Sequence, residues 1–512
     1  MSSSAPHPQR PPLDQATTPY ATALDLHAKR DTVNLMVPGH GATAAGLSEE
    51  LGAFVGPHAL ARDIPPLIPG IDVGPDSPLV AATTLAAEAW GARRTWFLAN
   101  GASQANRMAA LALASRGRGD VVVAQRSAHS SFTDGVLLGD LLPRFVFPSI
   151  DAELGINHGV TPDSLRVACE TAHTAGDSVT AVYIISPSYF GAVADIAGLA
   201  EVAHEYGVPL VVDGAWGSHF GFHPDLPESP TRLGADLTVS STHKLGGSLT
   251  QSAMLHLGNG QFAEELEPLL ERAYMLTQTT SPSALLLGSL DVARHTLVHG
   301  TAAIGETLIE VERFRDVLRR DGRFPLISDG FAAFPDIVAH DPLRVSIDVS
   351  ASGLSGHAVR DRLAAEHGIF LEISTAHAIV AFIGPGKRPD LERLNSGLWA
   401  LADANANATP SHVAADDRER SAFPGLPAPG VMRARPRAAF FGRHEIVPAD
   451  AAVGRVSADA LAAYPPGIPN VLPGEEITAE TVAFLQTVAA SPIGYVRGAI
   501  DPAVARFRVL AE

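Results

Sequence analysis

The sequence predicts an α/β fold: a mostly parallel central sheet with helices on both faces, followed by smaller α+β domains. Two features predict it. Short β-rich runs alternate with amphipathic stretches between residues 94 and 240, which is the pattern of parallel strands joined by crossover helices. Beyond residue 300 a long helical stretch gives way to strands and a helix in a different order, as a smaller α+β unit would.

In order, the β-rich runs are RTWFLA (94–99), DVVVAQ (120–125), RFVFP (144–148), VTAVYIIS (179–186), VPLVVD (208–213) and DLTVS (236–240). Between them, PDSLRVACETAHTAG and IAGLAEVAHEYG carry helical spacing, and Gly207 closes the second as a C-cap. The later part reads LRVSIDVS, then the helix SGHAVRDRLAAEHG, then IFLEIST and AIVAFIG. Residues 1 to about 20, rich in Ser, Pro and Gln, read as a flexible arm that could equally wrap a partner subunit. The expected division is an N-terminal arm over 1–35, a large domain over 36–300, a small domain over 301–402, a linker or insertion over 403–430 and a C-terminal domain over 431–512.

Composition narrows the function. Among 512 residues, 37 basic side chains face 55 acidic ones, a balance of −18 that disfavours nucleic acid or an anionic membrane as the main partner. It suits a cationic small molecule, although many cytosolic proteins are simply acidic. A single cysteine, Cys169, forbids an internal disulfide and a Cys-based zinc site, and reads as a buried core thiol. The N-terminal stretch lacks an apolar signal region and no run of ~18 apolar residues occurs, so the expected location is cytoplasmic.

In parallel sheets ligands bind beyond the carboxyl ends of the strands, which confines the search for chemistry. After the first run, Asn100-Gly101-Ala102-Ser103-Gln104 opens a helix, and such a small-residue turn presents free N–H groups and a positive dipole end to an anion. After the second comes His129. After VPLVVD stand Asp213, Ala215 and Trp216; an aspartate there either caps a helix or meets a cation. After DLTVS come Ser241, His243 and Lys244. Each alone has a bland reading: an unliganded turn, a structural histidine, a solvated lysine. One cofactor needs all four features, an anion cradle, a ring-stacking group, a carboxylate for a pyridinium nitrogen and an amine for a Schiff base. It is pyridoxal 5′-phosphate (PLP).

Eight segments carry a resemblance over most of the chain: VPGH (37–40), LAAEAWGARRTWFLANGASQAN (85–106), IDAELGINHGVTPDSL (150–165), ISPSYFG (185–191), DGAWGSHFGFHPDLP (213–227), STHKLGGSLTQSAMLH (241–256), QTTSPSALLLGSLDVAR (278–294) and VGRVSADALAAYPPGIPNVLPGEEIT (453–478). With them the sequence resembles the Orn/Lys/Arg decarboxylase family, in its shorter, arginine-decarboxylase-like branch, whose members are fold-type I, aspartate-aminotransferase-like PLP enzymes. The last segment matches the family's C-terminal domain, which PLP transaminases in general do not share. The resemblance implies a Schiff base at Lys244, pairing of Asp213 with the pyridine nitrogen and ring stacking by His129. It also implies a phosphate cradle of Ser103 with the backbone of Ala102 and Gln104, helped by Ser241 and His243, with Ala215 and Trp216 lining the other side of the ring.

It implies a homodimer too, with the site at the interface, where Thr279 or Thr280 would reach the partner's phosphate. Lys244 and His243 are the candidates for returning a proton to Cα, and Glu475 and Glu476 for receiving a substrate's cationic side chain. Three positions depart from the family pattern: Gly41 where a lysine is common, Ser130 where another lysine follows the stacking histidine, and Ala284 where an aromatic is common. These departures, in segments expected near the site, keep another PLP reaction open as the alternative: an aldolase, oxidase, cyclase or transaminase step. A catalytically silent regulatory subunit is a further one.

Overall fold

The computed structural model describes residues 13–406, 427–464, 468–490 and 494–511. The first twelve residues of the expected arm, most of the expected 403–430 linker and the Pro-Pro-Gly of the C-terminal motif lie outside them.

The seven-stranded central sheet runs in the order Arg94–Leu98, Ala253–Leu257, Leu237–Ser240, Leu210–Asp213, Val179–Ile185, Val121–Gln125, Leu142–Val146. The last five are parallel neighbours. Ala253–Leu257 is antiparallel to both strands beside it, so six strands point one way and one the other. Residues 121–125, 210–213 and 237–240 are buried along their whole length, as strands covered on both faces must be. Two apolar layers do the covering: one around Met108, Leu113, Phe132 and Leu270, the other around Leu165, Cys169, Leu199 and Val202.

The expected strands of this sheet appear within two residues of their sequence positions, whereas Ala253–Leu257 was not foreseen. Its run is broken by His256, and that histidine is fully buried. The ring lies 2.8 Å from the Thr95 hydroxyl and stacks on Trp90, and burial pushes its pKa down to about 3. A neutral, partnered imidazole is tolerated inside a strand.

Helix ends follow local chemistry. Pro162–Thr174 begins at a Thr161/Ser164 capping box, and Ile196–Glu205 at Asp195, whose Oδ1 accepts from the Gly198 amide at 3.0 Å. The latter helix stops at Gly207, whose φ of +69° is open to glycine without strain. Cys169, on Pro162–Thr174, is buried and its thiol is pushed up to about 11 by burial.

Within the expected N-terminal arm, residues 13–28 are docked on the rest of the chain. Helix Pro19–Ala28 buries Tyr20 and Leu24 against Ala284, Leu287 and Leu290. Asp291 Oδ2 accepts from the Tyr20 and Ala21 amides, capping this helix from 270 residues away in sequence, and Arg294 pairs with Asp291 in turn.

After the long helix Thr301–Asp321, strands Arg344–Asp348, Ala378–Phe382 and Ile373–Ser374 form a second, antiparallel sheet, packed with helices Gly356–His367 and Leu391–Ala406. The C-terminal segment holds two further small sheets and helix Ala479–Ala490 around a core of its own. Among the described residues no helix is long and apolar enough to cross a membrane.

Candidate active site

The carboxyl ends of five strands converge on one cavity. Its lining takes Gly101, Ala102 and Ser103 from the first strand end, Ser127 and His129 from the second, and Pro187, Ser188 and Tyr189 from the fourth. Asp213, Ala215, Trp216, Ser241, His243 and Lys244 also line it, with Asn106, Gln125, Asn157, His158 and Ile185 filling the remainder. Gln104 lies just outside: it is buried, and its side-chain oxygen accepts from the Asn100 amide at 3.2 Å, closing the turn.

Asp213 is buried at the end of Leu210–Asp213 and is held by three donors: the Tyr183 hydroxyl at 2.7 Å and Asn106 Nδ2 at 3.0 Å on Oδ2, and the Ala215 amide at 3.1 Å on Oδ1. A carboxylate has about four acceptor positions, so one remains for a donor in the cavity. Tyr183 is itself buried and stacked on Phe132, which with Asp213 beside it holds its hydroxyl well above the ordinary range. It therefore stays protonated and donates.

His129 caps the helix Ser130–Gly139. Its Nδ1 accepts from the Ser131 amide at 3.2 Å, which leaves the proton of the neutral ring on Nε2. The Ser131 hydroxyl, 2.8 Å from that Nδ1, also accepts from Asn106, so His129 and Asp213 are linked through two side chains. Although the ring is open to the cavity, desolvation by the surrounding protein lowers its pKa, opposed by Asp213. His243 is likewise lowered, by desolvation and then by Lys244.

Lys244 Nζ stands 3.8 Å from the centre of the Trp216 ring. Burial brings its pKa down to about 8, against the pull of Asp213 and Glu372. The Trp216 ring is stacked on Phe382, and both rings lie under the guanidinium of Arg344. That arginine, fully buried, donates to the carbonyls of Ser188 at 2.8 Å and Trp216 at 3.0 Å and so ties two cavity loops to the second sheet.

These residues suit PLP. Gly101 opens its fourteen-residue helix at φ +74°, and no side chain caps that helix, leaving its amides for an anion. A spare acceptor position on Asp213 and a low-pKa amine share the same cavity.

Other expected residues lie elsewhere. Glu475, a candidate for a substrate's cationic side chain, is buried in a bidentate pair with Arg126, and Glu476 pairs with Arg433 at 2.8 Å. Neither lines the cavity. Thr280 is exposed in the loop before helix Ala284–Val298. Of the three departures from the family pattern, Ala284 is a core residue, and Gly41 and Ser130 are outside the lining. Asn106, Tyr183 and Arg344 were missed, since each reads from sequence as an ordinary helix or strand residue.

Fold and site together define a PLP-dependent enzyme of fold type I. The Orn/Lys/Arg decarboxylase major-domain model matches residues 18–335 and the C-terminal-domain model of the same family matches 419–492, so the chain belongs to that family. Over 506 residues it is 35% identical to an arginine decarboxylase of Bacillus subtilis, covering 98% of this chain and 99% of that protein. It is 33% identical to the arginine decarboxylase of Halalkalibacterium halodurans, covering 97% and 98%. The lysine decarboxylase LdcF of Francisella novicida shares the fold, at a TM-score of 0.82 and 20% identity over 96% of this chain and 81% of that one. The protein is a decarboxylase of a basic amino acid.

Proposed function

We propose that the protein decarboxylates arginine, as a homodimer with its active sites at the interface, in the cytoplasm. The observation that carries the chemistry is the placement of Lys244 and Asp213 in one cavity, the amine against Trp216 and the carboxylate held by Tyr183 and Asn106. Bound there, PLP supplies the electron sink for the pair left on Cα when carbon dioxide departs. Asp213 would keep the ring nitrogen protonated. Lys244 Nζ, with a pKa of about 8, can hold or yield a proton near neutral pH, and His243, in the same lining, is the other candidate for returning it.

Arginine is favoured by similarity to the two arginine decarboxylases. Glu372 is the carboxylate available to its guanidinium. Its charge, like that of Asp213, raises the pKa of Lys244 and also acts on Arg344; it is exposed and stands outside the cavity lining. A planar guanidinium pairs with a carboxylate through two parallel bonds, which the ammonium of lysine or ornithine cannot form.

Val33, Leu35, Leu47 and Phe54, all from the segment before residue 60, stand 86%, 91%, 106% and 87% exposed, apolar side chains that a partner subunit would cover. The exposed loop bearing Thr280 could then serve the partner's phosphate. On this reading residues 36–300 hold the cofactor, and the 301–402 and 431–512 units pack around them.

Purified protein should be yellow, bleach with borohydride, and lose the colour in Lys244→Ala. Supplied separately with arginine, lysine and ornithine, it should release carbon dioxide and the matching amine fastest from arginine, and Glu372→Gln should raise KM for arginine. Faster turnover of lysine or ornithine would remove the substrate assignment. Retention of the carboxyl carbon would remove decarboxylation itself.

A further inference from the structure

The strand that delivers His129 is held from the far end of the chain. Arg126, immediately after Val121–Gln125, has its backbone amide bonded to Val146 and its side chain turned into the C-terminal segment. There it forms a bidentate pair with Glu475 and donates to the carbonyls of Pro469 at 3.2 Å and Asn470 at 3.4 Å, with its guanidinium over the Phe145 ring. Both partners are essentially out of solvent, Arg126 at 3% and Glu475 at 2% exposure. Glu475 also accepts from the Leu472 amide, so its acceptor positions are largely filled within the protein.

Three residues after Arg126, His129 caps Ser130–Gly139. The far end of that helix is held as well. Arg437 donates to the carbonyls of Leu137 at 3.0 Å and Leu138 at 3.1 Å, meeting the negative end of the helix dipole. Arg435 pairs with Asp140 and Asp120 beside it. The C-terminal segment therefore grips this helix at both ends, and no residue of the grip lines the cavity.

A buried ion pair adds little net stability over apolar side chains of the same size, because desolvation offsets the attraction. What such a pair does supply is a fixed geometry. We propose that the C-terminal segment is a positioning element of the cofactor site, with Arg126–Glu475 and Arg437 holding the helix that carries His129. Glu475 is then a positioning residue and not a ligand of the substrate.

This rests on the PLP reading, and the wild type tests that part first: if its apo form fails to take up PLP, the cofactor reading fails and not the clamp. Full-length apo variants are titrated with PLP, and their Tm is measured alongside. Glu475→Gln and Arg437→Met should each raise the PLP Kd at least tenfold, with Glu475→Asp recovering part of the loss. The double variant Arg126→Met/Glu475→Leu removes both buried charges; its Tm should return toward wild type while its Kd stays raised. If Glu475→Gln does not fold, the double variant and Arg437→Met carry the test. Kd values within twofold of wild type, or a Kd in the double variant that recovers with Tm, would overturn the proposal. So would a raised KM for substrate at unchanged PLP affinity, which would return Glu475 to the substrate.

Discussion

At the residue scale, Lys244 has the most direct pH signature. In the unfolded chain its amine is protonated up to its ordinary 10.5, but in the fold only up to about 8. Below pH 8 both states carry the proton and the fold bears the whole penalty of a buried ammonium. Between 8 and 10.5 the unfolded chain binds more protons, so stability rises with pH. Apo wild type should therefore melt below apo Lys244→Met under pH 8, with the gap closing by 10.5; a gap constant across that window would mean the amine is unshifted. Tyr183→Phe keeps the stacking on Phe132 but removes a donor to Asp213. A hydrogen bond to a charged group contributes about 1.5–3 kcal/mol, so PLP affinity should fall roughly 10- to 100-fold by titration. Lys244, Asp213 and His129 were legible because each follows an apolar run. Tyr183 and Asn106 were not: the tyrosine looks like any aromatic in a buried strand, and only folding brings the asparagine, 77 residues away, to its side. The two glutamates misled for the same reason, since the partner of Glu475 lies 349 residues distant.

At the scale of elements, the helix Gly101–Ala114 starts with no side chain capping its amides, and its opening glycine can be tested. At φ +74° a β-branched residue is strained by more than about 1 kcal/mol. Gly101→Val should weaken PLP binding at least tenfold while leaving the affinity for pyridoxal, which has no phosphate, nearly unchanged. Equal losses for both ligands would place the effect away from the helix start. The parallel strands were readable because burial on both faces writes an unbroken apolar run. Ala253–Leu257 was not, because a histidine buried against Thr95 and Trp90 counts as polar until its partners are known. The N-terminal helix escaped for a related reason, its cap being supplied by Asp291 and not by a neighbour.

At the scale of the molecule, the single cysteine of the chain gives a means of watching the fold open. Cys169 lies in the layer behind the sheet, on the face opposite Met108 and Phe132, among Leu165, Leu199 and Val202. With its thiol pushed up to about 11, almost none of it is thiolate at neutral pH, and a reagent that attacks thiolate needs both charge and access. A disulfide-exchange dye should thus remain colourless with the native protein over hours and release one equivalent on denaturation. Faster release from native protein would mean that this layer breathes. If it holds, the moment of colour records the rupture of the central sheet itself, and adding vitamin B6 coenzyme before the challenge would reveal by how much ligation at one edge of that sheet slows its coming apart at the back.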